Sequence, residues 1–186
     1  NDLAKISKIK KIYLIDNLSN ERFNVLFKLK NKKVDFIFGD LKNNSAVKKL
    51  PKTDIVLHLA STTNAEKSFE NKNYLFKNNL EFFKNIVNYC KKFRSNLIHI
   101  SSTSVYGPQK DLVDEDQKKL FPRSPYAVVK LKEENILKKQ NKFKYISLRF
   151  GTISGFSDGM RFHTAVNKFC WLASLNKNLT VWETAL

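Results

Sequence analysis

Long apolar runs, cysteine clusters and glycine are all scarce in this sequence of 186 residues. No stretch approaches the roughly 20 apolar residues of a membrane helix, so the sequence predicts a soluble protein with no membrane partner. The only two cysteines, Cys90 and Cys170, lie in helical patterns without metal-ligand spacing. They predict reduced thiols in a cytoplasmic protein that holds no metal.

Acidic residues are also few, 17 against 34 lysines and arginines, which gives a net charge of +17. A charge of this size raises the question of a nucleic-acid partner. The basic residues are nearly all lysines, however, and they are scattered over every segment among many Asn, Ile and Phe residues. We interpret the charge as a compositional bias, expect no nucleic-acid partner, and expect attraction of anionic ligands such as nucleotides.

Apolar runs of strand length alternate with longer amphipathic stretches, which is typical of a parallel sheet with helices on both faces. The predicted strands are Lys11 to Asp16, Val34 to Phe38, Asp54 to Leu59, Leu97 to Ser101 and Tyr145 to Phe150. The predicted helices are Glu21 to Lys30, Tyr74 to Lys92, Pro125 to Lys139 and Thr164 to Leu175, and residues 108–122 form one long polar loop. The order predicts an α/β fold with a doubly wound parallel sheet, in which ligands bind at the carboxyl ends of strands.

Tyr126 and Lys130 carry the clearest chemical signal, because they stand four residues apart and follow a hydroxyl-rich segment, Ser101 to Gly107. Ser124 suits an N-cap and Pro125 a first helical residue, so Tyr126 and Lys130 are expected one turn apart on one face. A phenol acts as a base near neutral pH only if its anion is stabilised, here by the ammonium and the helix N-terminus. The pair predicts proton removal from a substrate hydroxyl during hydride transfer, although the spacing alone also fits an ordinary exposed pair.

Acidic or small residues follow three of the predicted strands. An acid such as Asp16, at the end of the second strand of a dinucleotide-binding sheet, accepts hydrogen bonds from the adenosine ribose and favours NAD over NADP. Asp40 can accept from the adenine amino group, and the small residues after His58 allow close backbone approach to the cofactor. Either acid can instead cap a helix or turn, and His58 is expected to be a core histidine.

Seven short motifs occur on these elements in a fixed order. They are Asp16-Asn17-Leu18-Ser19, Gly39-Asp40-Leu41, His58-Leu59-Ala60-Ser61, Asn78-Asn79-Leu80, Ser101 to Gly107, Ser124 to Lys130, and Leu148-Arg149-Phe150. Together they resemble the extended short-chain dehydrogenase/reductases, specifically the NAD-dependent sugar epimerase/dehydratase branch. The resemblance covers nearly the whole chain and implies a Rossmann-like NAD-binding domain at residues 1–155, followed by the start of a smaller substrate-binding region at residues 156–186. It also implies a nucleotide-sugar substrate and, in the complete protein, a homodimer formed through the helices at residues 74–92 and 125–139.

The same resemblance implies roles for individual residues. Ser102 becomes the active-site hydroxyl because it stands four residues before Tyr106, Tyr126 becomes the catalytic base, and Lys130 binds the nicotinamide ribose. The residues implied to contact NAD are Asp16, Asn17, Asp40, Leu41, Leu59, Ala60, Ser61, Asn78 or Asn79, Tyr126 and Lys130. The implied substrate contacts are Ser102, Thr103 and Asn167.

Thr103 and Ser104 stand where the sugar-nucleotide 4,6-dehydratases have an Asp and a Glu. Neither hydroxyl exchanges protons at neutral pH as a carboxyl group does, so an NAD-dependent epimerase that transiently oxidises a sugar hydroxyl is favoured over a dehydratase. An NAD(P)-dependent sugar or steroid-type dehydrogenase or reductase of the same fold is the alternative enzyme. A non-catalytic dinucleotide-binding protein, which senses redox state or binds RNA, is the alternative outside enzymes, but it would not require Ser102, Tyr126 and Lys130.

The five glycines form no Gly-x-x-Gly-x-x-Gly loop. In a dinucleotide-binding sheet that loop lies about 20 residues before the ribose acid, which places it ahead of Asn1 and predicts that the chain is part of a longer protein. The strand before the loop would lie between the strands ending at Asp16 and Ala60, so a gap is expected there. Residues 2–10 are then expected to end the helix after the loop, and residues 179–183 to form a strand entering the substrate domain.

Overall fold

Strands and helices alternate in the computed structural model, which describes residues 2–19, 26–27, 29–62, 72–160, 162 and 164–181. The elements are α1 (Asp2–Lys5), β1 (Ile12–Asp16), β2 (Val34–Phe38), α2 (Asn44–Lys48), β3 (Ile55–His58), α3 (Lys72–Phe93), β4 (Asn96–Ser102), a 3-10 helix (Thr103–Val105), α4 (Pro125–Lys138), β5 (Tyr145–Phe150) and α5 (Ala165–Ser174). The described residues fall into two compact units, one within Asn1–Tyr13, Leu18–Asp35 and Thr152–Leu186 and the other within Leu14–Asn17 and Phe36–Gly151.

All five predicted strands are present, with ends within one residue of those expected, and the predicted α/β fold is confirmed. Three predicted helices correspond to α3, α4 and α5. The helix predicted at Glu21 to Lys30 lies largely outside the described residues. Helix α2 was not predicted, because it is only five residues long and depends on Asn43, whose Oδ1 accepts hydrogen bonds from the backbone N–H groups of Ser45 and Ala46.

Two terminal predictions differ from the structure. Helix α1 ends at Lys5, so the helix expected to continue to residue 10 is shorter. Residues 179–181 are irregular rather than a strand, and the rest of that predicted strand lies outside the described residues. An isolated extended segment gains no ladder hydrogen bonds, which explains why an apolar run alone does not make a strand here.

Strands β3, β4 and β5 form a parallel three-stranded sheet. Ile55 lies opposite Asn96 at one end of the first pair, and Ser102 lies opposite Phe150 at the end of the second. Strands β1 and β2 form a separate two-stranded sheet, and within the described part of the chain β1 and β3 are not paired. The carboxyl ends of β4 and β5, which carry the predicted chemistry, therefore lie side by side.

Helices α3 and α4 pack against each other, and α4 packs on β4. The buried residues of this core are Val47, Phe83, Ile86, Val87, Tyr89, Cys90, Leu97, Leu137 and Phe143. Strand β3 also has an uncovered apolar side, since its residues Ile55 and Leu57 are 58% and 41% exposed and Leu59, directly after it, is 65% exposed, while His58 is buried. A parallel sheet is normally covered on both faces, and in the described chain this face of β3 is open. No helix of the described chain is long and apolar enough to span a bilayer.

Candidate active site

Helix α4 begins as its sequence predicts. The Ser124 hydroxyl accepts a hydrogen bond from the Ala127 N–H at 3.1 Å, and Pro125 is the first helical residue. Tyr126 consequently lies in the first turn and Lys130 one turn later. The Lys130 ammonium lies 5.8 Å from the centroid of the Tyr126 ring, so the structure brings the predicted base and its predicted cation together.

Lys130 is almost completely buried, with 3% of its surface exposed. Its ammonium donates to Oε2 of Glu133 at 2.9 Å, and His99 Nε2 lies 2.9 Å from the same oxygen. Burial alone raises the pKa of Glu133, but the hydrogen bond from His99 and the charge of Lys130 together hold that pKa below its ordinary value. Glu133 is therefore an ionised carboxylate inside the core, and it forms a buried ion pair with Lys130.

Ser102 ends β4, and its side chain caps the 3-10 helix that follows. Its Oγ accepts hydrogen bonds from the Ser104 N–H at 3.2 Å and from the Ser104 hydroxyl at 2.8 Å. Because both contacts use Ser102 as the acceptor, its own hydroxyl proton is available for donation. Helix α4 packs against this 3-10 helix, so the hydroxyl-rich segment and the helix that carries Tyr126 are neighbours.

Gly107 closes the hydroxyl-rich segment in a conformation that other residues rarely adopt. Its φ is +65°, and a Cβ at this position would lie 1.9 Å from the carbonyl oxygen of Phe121. The Phe121 N–H donates to the Tyr106 carbonyl at 3.1 Å. The end of the long polar loop is thus fastened directly to the segment that contains Ser102.

A second buried ion pair anchors α4 to the sheet. Arg149 of β5 donates through Nε and Nη2 to the two carboxylate oxygens of Glu134, at 3.0 and 2.8 Å. The Ser101 hydroxyl donates to Glu134 Oε1 at 2.6 Å. Burial tends to raise the pKa of Glu134, but the hydrogen bonds from Arg149 and Ser101 lower it overall. Three elements, β4, β5 and α4, are joined at this carboxylate.

The residues predicted to hold the adenosine lie at the ends of β1 and β2. Asp16 is exposed, and its carbonyl accepts a hydrogen bond from the Gly39 N–H at 3.1 Å. Asn17 Nδ2 donates to Asp40 Oδ2 at 3.3 Å, while Asp40 Oδ1 accepts from the Lys42 N–H at 2.8 Å. Asp40 therefore caps a turn, which was the alternative to its predicted role as a cofactor ligand. It also contacts Asn17, another residue predicted to bind the cofactor. The next residue, Leu41, is half-buried.

Asn79 organises the segment after β3 that was predicted to line the cofactor. It is 1% exposed, and its amide group donates to Ser61 Oγ at 3.2 Å and to the Thr62 carbonyl at 3.1 Å. Its Oδ1 accepts from the Thr62 N–H at 2.9 Å. The neighbouring Asn78 is also buried, whereas Leu59 is exposed. The side chain of Asn79 thus holds Ser61 and Thr62 in place. Ala60, directly before them, is half-buried.

Asn167, the remaining predicted substrate residue, belongs to the other compact unit. Its Oδ1 accepts a hydrogen bond from the Gly155 N–H at 3.0 Å, and the residue is 6% exposed. The structure therefore gives it a contact within its own unit. Thr103, the other residue predicted to contact substrate, is exposed, and its hydroxyl donates to the Phe150 carbonyl at 3.4 Å.

Sequence reasoning missed the two buried carboxylates and their partners. His99 and Arg149 were visible as polar interruptions of apolar strands, and Glu133 and Glu134 follow Lys130 by three and four residues, the spacing of neighbours on a helix. Two surface grooves, of about 360 and 290 Å³, contain none of the predicted site residues. Among the described residues no group of three or more metal-ligating side chains occurs.

Two curated proteins with similar sequences are epimerases. The chain is 26% identical over 160 residues to ADP-L-glycero-D-manno-heptose-6-epimerase of Brachyspira hyodysenteriae, which covers 83% of this chain and 48% of the relative. It is 27% identical over 154 residues to UDP-glucose 4-epimerase of Pisum sativum, with coverages of 75% and 44%. The chain spans about half the length of the curated relatives it matches.

The fold also matches a solved enzyme structure. A UDP-glucuronic acid 4-epimerase from Bacillus cereus in complex with NAD superimposes with a TM-score of 0.81 at 26% identity, over 97% of this chain and 60% of that one. Residues 5–185 match the profile of the NAD dependent epimerase/dehydratase family. The family expected from the seven motifs is thereby confirmed, and this chain belongs to the NAD dependent epimerase/dehydratase family.

Proposed function

We propose that this chain is the NAD-binding part of an epimerase that inverts one carbon of a sugar nucleotide by transient oxidation of a hydroxyl group. The observation that carries the proposal is the arrangement of Tyr126 in the first turn of α4, with the buried Lys130 ammonium 5.8 Å from its ring. The helix packs against the segment that follows Ser102. Binding alone would not require a phenol, an ammonium and a hydroxyl in this arrangement.

Each of these side chains has a distinct task in the proposed reaction. Tyr126 removes the proton from the substrate hydroxyl, because the ammonium and the helix N-terminus both stabilise its phenolate. Ser102, whose Oγ acts as the acceptor in both of its contacts with Ser104, donates a hydrogen bond to the oxygen that becomes a carbonyl. NAD, held here by Lys130 and Tyr126, would supply the hydride chemistry, which is acceptance of a hydride from the sugar carbon and its return to the opposite face of that carbon.

The side chains present also fit the two ends of a dinucleotide. At the adenosine end, Asp16 and Asp40 offer carboxylate acceptors for ribose hydroxyls and the adenine amino group. At the nicotinamide end, Lys130 and Tyr126 offer an ammonium and a phenol for the second ribose. The glycines that allow a pyrophosphate close to the backbone are not in this sequence. We propose that the complete protein supplies them ahead of residue 1, and that residues 156–186 begin its substrate-binding region.

Thr103 and Ser104 favour epimerisation over elimination of water. Both side chains are exposed hydroxyls beside Ser102, and no carboxyl group stands at either position to exchange protons at neutral pH. The curated relatives above are a heptose epimerase and a glucose epimerase. A nucleotide-sugar is therefore the proposed substrate, and the reaction should cause no lasting change in the oxidation state of the cofactor.

The decisive test uses the complete protein, meaning the whole gene product that contains this chain. Tyr126→Phe should lower the epimerisation rate roughly 100- to 10,000-fold, as expected for loss of a general base, with NAD affinity nearly unchanged. Lys130→Met should lower both the rate and the affinity for NAD. Product analysis by NMR with UDP- and ADP-sugars measures the rate, and protein fluorescence measures NAD binding. Tyr74→Phe, an exposed tyrosine on α3, is the matched control.

Two results would overturn this proposal. A Tyr126→Phe protein that works within a few-fold of the wild type would remove the assigned base. Steady accumulation of NADH during turnover would instead indicate a dehydrogenase of the same fold.

The proposed missing strand can be checked independently of any enzyme assay. Among the described residues β1 is not paired with β3, and this separation of the two sheets supports an additional strand between them. We expect the gene to encode, about 20 residues before Asp16, a short apolar strand followed by a glycine-rich turn. Genomic sequence upstream of this chain decides the matter, and a stop codon without such a segment would contradict the proposal.

A further inference from the structure

Glu133 lies one helical turn beyond Lys130 and is 1% exposed. Its Oε2 is the meeting point of two contacts, 2.9 Å from the Lys130 ammonium and 2.9 Å from His99 Nε2. The chain of contacts continues from His99 Nδ1 to the Ser147 hydroxyl at 2.8 Å. Side chains from β4, β5 and α4 thus form one continuous path that begins at the half-buried Ser147 and ends at the buried Lys130.

The two consecutive buried glutamates of α4 have different partners. Glu134 forms a two-bond contact with Arg149 and thereby joins the helix to the sheet. Glu133 also joins the helix to the sheet, through His99, but unlike Glu134 it contacts the lysine next to Tyr126 as well. A buried ion pair stabilises a fold little better than apolar side chains of similar size, so the place of this pair beside Tyr126 points to a role in the site.

We propose that Glu133, held by His99, is a positioning residue that fixes the Lys130 ammonium beside Tyr126. A lysine side chain has four rotatable bonds, and its charge acts on Tyr126 only while the ammonium stays in one place. A carboxylate that is itself held from the sheet provides that fixed point. The inference rests on the proposed function, because it assumes that Lys130 assists Tyr126.

The proton positions follow from the acceptor-only chemistry of an ionised carboxylate. His99 Nε2 must carry a proton to donate to Glu133, because Glu133 cannot donate to it. When Nε2 is its only protonated nitrogen, His99 accepts a hydrogen bond from the Ser147 hydroxyl at Nδ1. The chain of donors runs from Ser147 through His99 to Glu133, and Lys130 donates to the same carboxylate from the other side.

The test compares two variants of the complete protein, Glu133→Gln and Glu134→Gln. Both replace a buried carboxylate of α4 by an amide, but only the first removes the anion that holds Lys130. We expect Glu133→Gln to lower kcat about 10- to 100-fold, the range for a misplaced catalytic group, and to weaken NAD binding several-fold with little change in the KM of the sugar nucleotide. Glu134→Gln should lower the melting temperature but leave kcat and NAD affinity of the folded protein within about threefold of the wild type.

A second measurement uses the unmodified protein, so it tests the proposal even if the Glu133→Gln variant fails to fold. Two-dimensional 1H–15N NMR of the histidine rings should show neutral His99 protonated at Nε2, assigned by loss of its signals in His99→Phe. A proton at Nδ1 alone would overturn the proposed arrangement. His99→Phe should itself lower kcat, by less than Glu133→Gln does, since Glu133 then loses one of its two contacts.

Failure of this inference and failure of the proposed function give different results. If Lys130→Met impairs catalysis while Glu133→Gln matches Glu134→Gln in kcat and NAD affinity, the positioning role is wrong and the proposed function stands. If Lys130→Met works like the wild type, the proposed function is wrong and the positioning role fails with it.

Discussion

The two ends of the candidate site are built in contrasting ways. Around Lys130, charged side chains are buried between α4 and the three-stranded sheet, where each finds a partner of opposite charge. Around Asp16, the acidic side chains lie at the ends of a two-stranded sheet and are exposed or half-buried. Electrostatic interactions are stronger in the poorly polarisable core than near solvent. A base that must be tuned is therefore expected in the first environment, and recognition of a ribose needs only the second.

The largest effect expected from this contrast concerns two ion pairs. Arg149→Met leaves Glu134 as an unpaired buried carboxylate, and the free energy of unfolding should fall by about 3 to 5 kcal/mol. Lys11→Met breaks the exposed pair with Asp35, 2.7 Å apart in the structure, and should cost about 0 to 1 kcal/mol. Urea unfolding of the complete protein measures both. Equal losses in the two variants would contradict the contrast.

A fall in pH should destabilise the protein through His58, which is buried near Lys130. Burial is the main cause that lowers its pKa to about 3 from 6.5, while the charge of Glu133 opposes this shift and that of Lys130 adds to it. Between these values the unfolded chain binds a proton that the folded chain does not, so stability falls as pH falls. From pH 6.5 to 4.5 the loss attributable to His58 should be about 2 to 3 kcal/mol.

His58→Phe isolates that contribution, because phenylalanine fills a similar space beside Phe83 and does not titrate. Urea unfolding at pH 7.0, 5.5 and 4.5 should show a flatter decline in the variant than in the wild type. Glu134 contributes separately, since its lowered pKa gives stability that is present above its ordinary value near 4.5 and is lost as pH falls further. Parallel declines in both proteins between pH 7.0 and 4.5 would show that His58 is not the titrating group.

The fold was predictable because its signals are local. Apolar runs gave every strand, and Ser124 with Pro125 gave the start of α4, since capping depends on residues three positions apart. The contact between His99 and Glu133 was not predictable in this way. The two residues stand 34 positions apart in sequence, and only the packing of α4 on β4 brings them together. Sequence reasoning therefore found the proposed reacting groups but missed Glu133, which contacts one of them.

The same limit explains why the sequence could not decide the roles of Asp16 and Asp40, the residues predicted to bind the adenosine. Asp16 and Asp40 were found because each follows a strand, but their roles as caps or as ligands share one local pattern. The structure shows Asp40 capping its turn and accepting from Asn17, which sequence could not separate from ligand binding.

A substitution at Gly107 tests how tightly the hydroxyl-rich segment, Ser101 to Gly107, is fixed in the structure. Gly107→Ala would place a Cβ 1.9 Å from the Phe121 carbonyl oxygen at a φ of +65°, so the backbone must shift. We expect a loss of about 1 to 3 kcal/mol in the free energy of unfolding. Gly151→Ala is the control, since nothing lies within 4 Å of its added Cβ, and it should change stability by less than about 0.5 kcal/mol. Similar losses in both variants would contradict the role given to Gly107.

The smallest expected effect concerns the exposed end, where Asp16→Ala should alter cofactor choice rather than stability. A carboxylate at the end of this strand accepts from the ribose hydroxyls of NAD and repels the 2′-phosphate of NADP. The complete wild-type protein should therefore prefer NAD, and Asp16→Ala should narrow that preference about tenfold, or about 1.4 kcal/mol. Fluorescence titration with each cofactor measures the ratio, and Asp111→Ala, in the exposed polar loop, should leave it unchanged. If the wild type binds NAD and NADP equally well, Asp16 does not contact the ribose, and the adenosine end must be held by other residues.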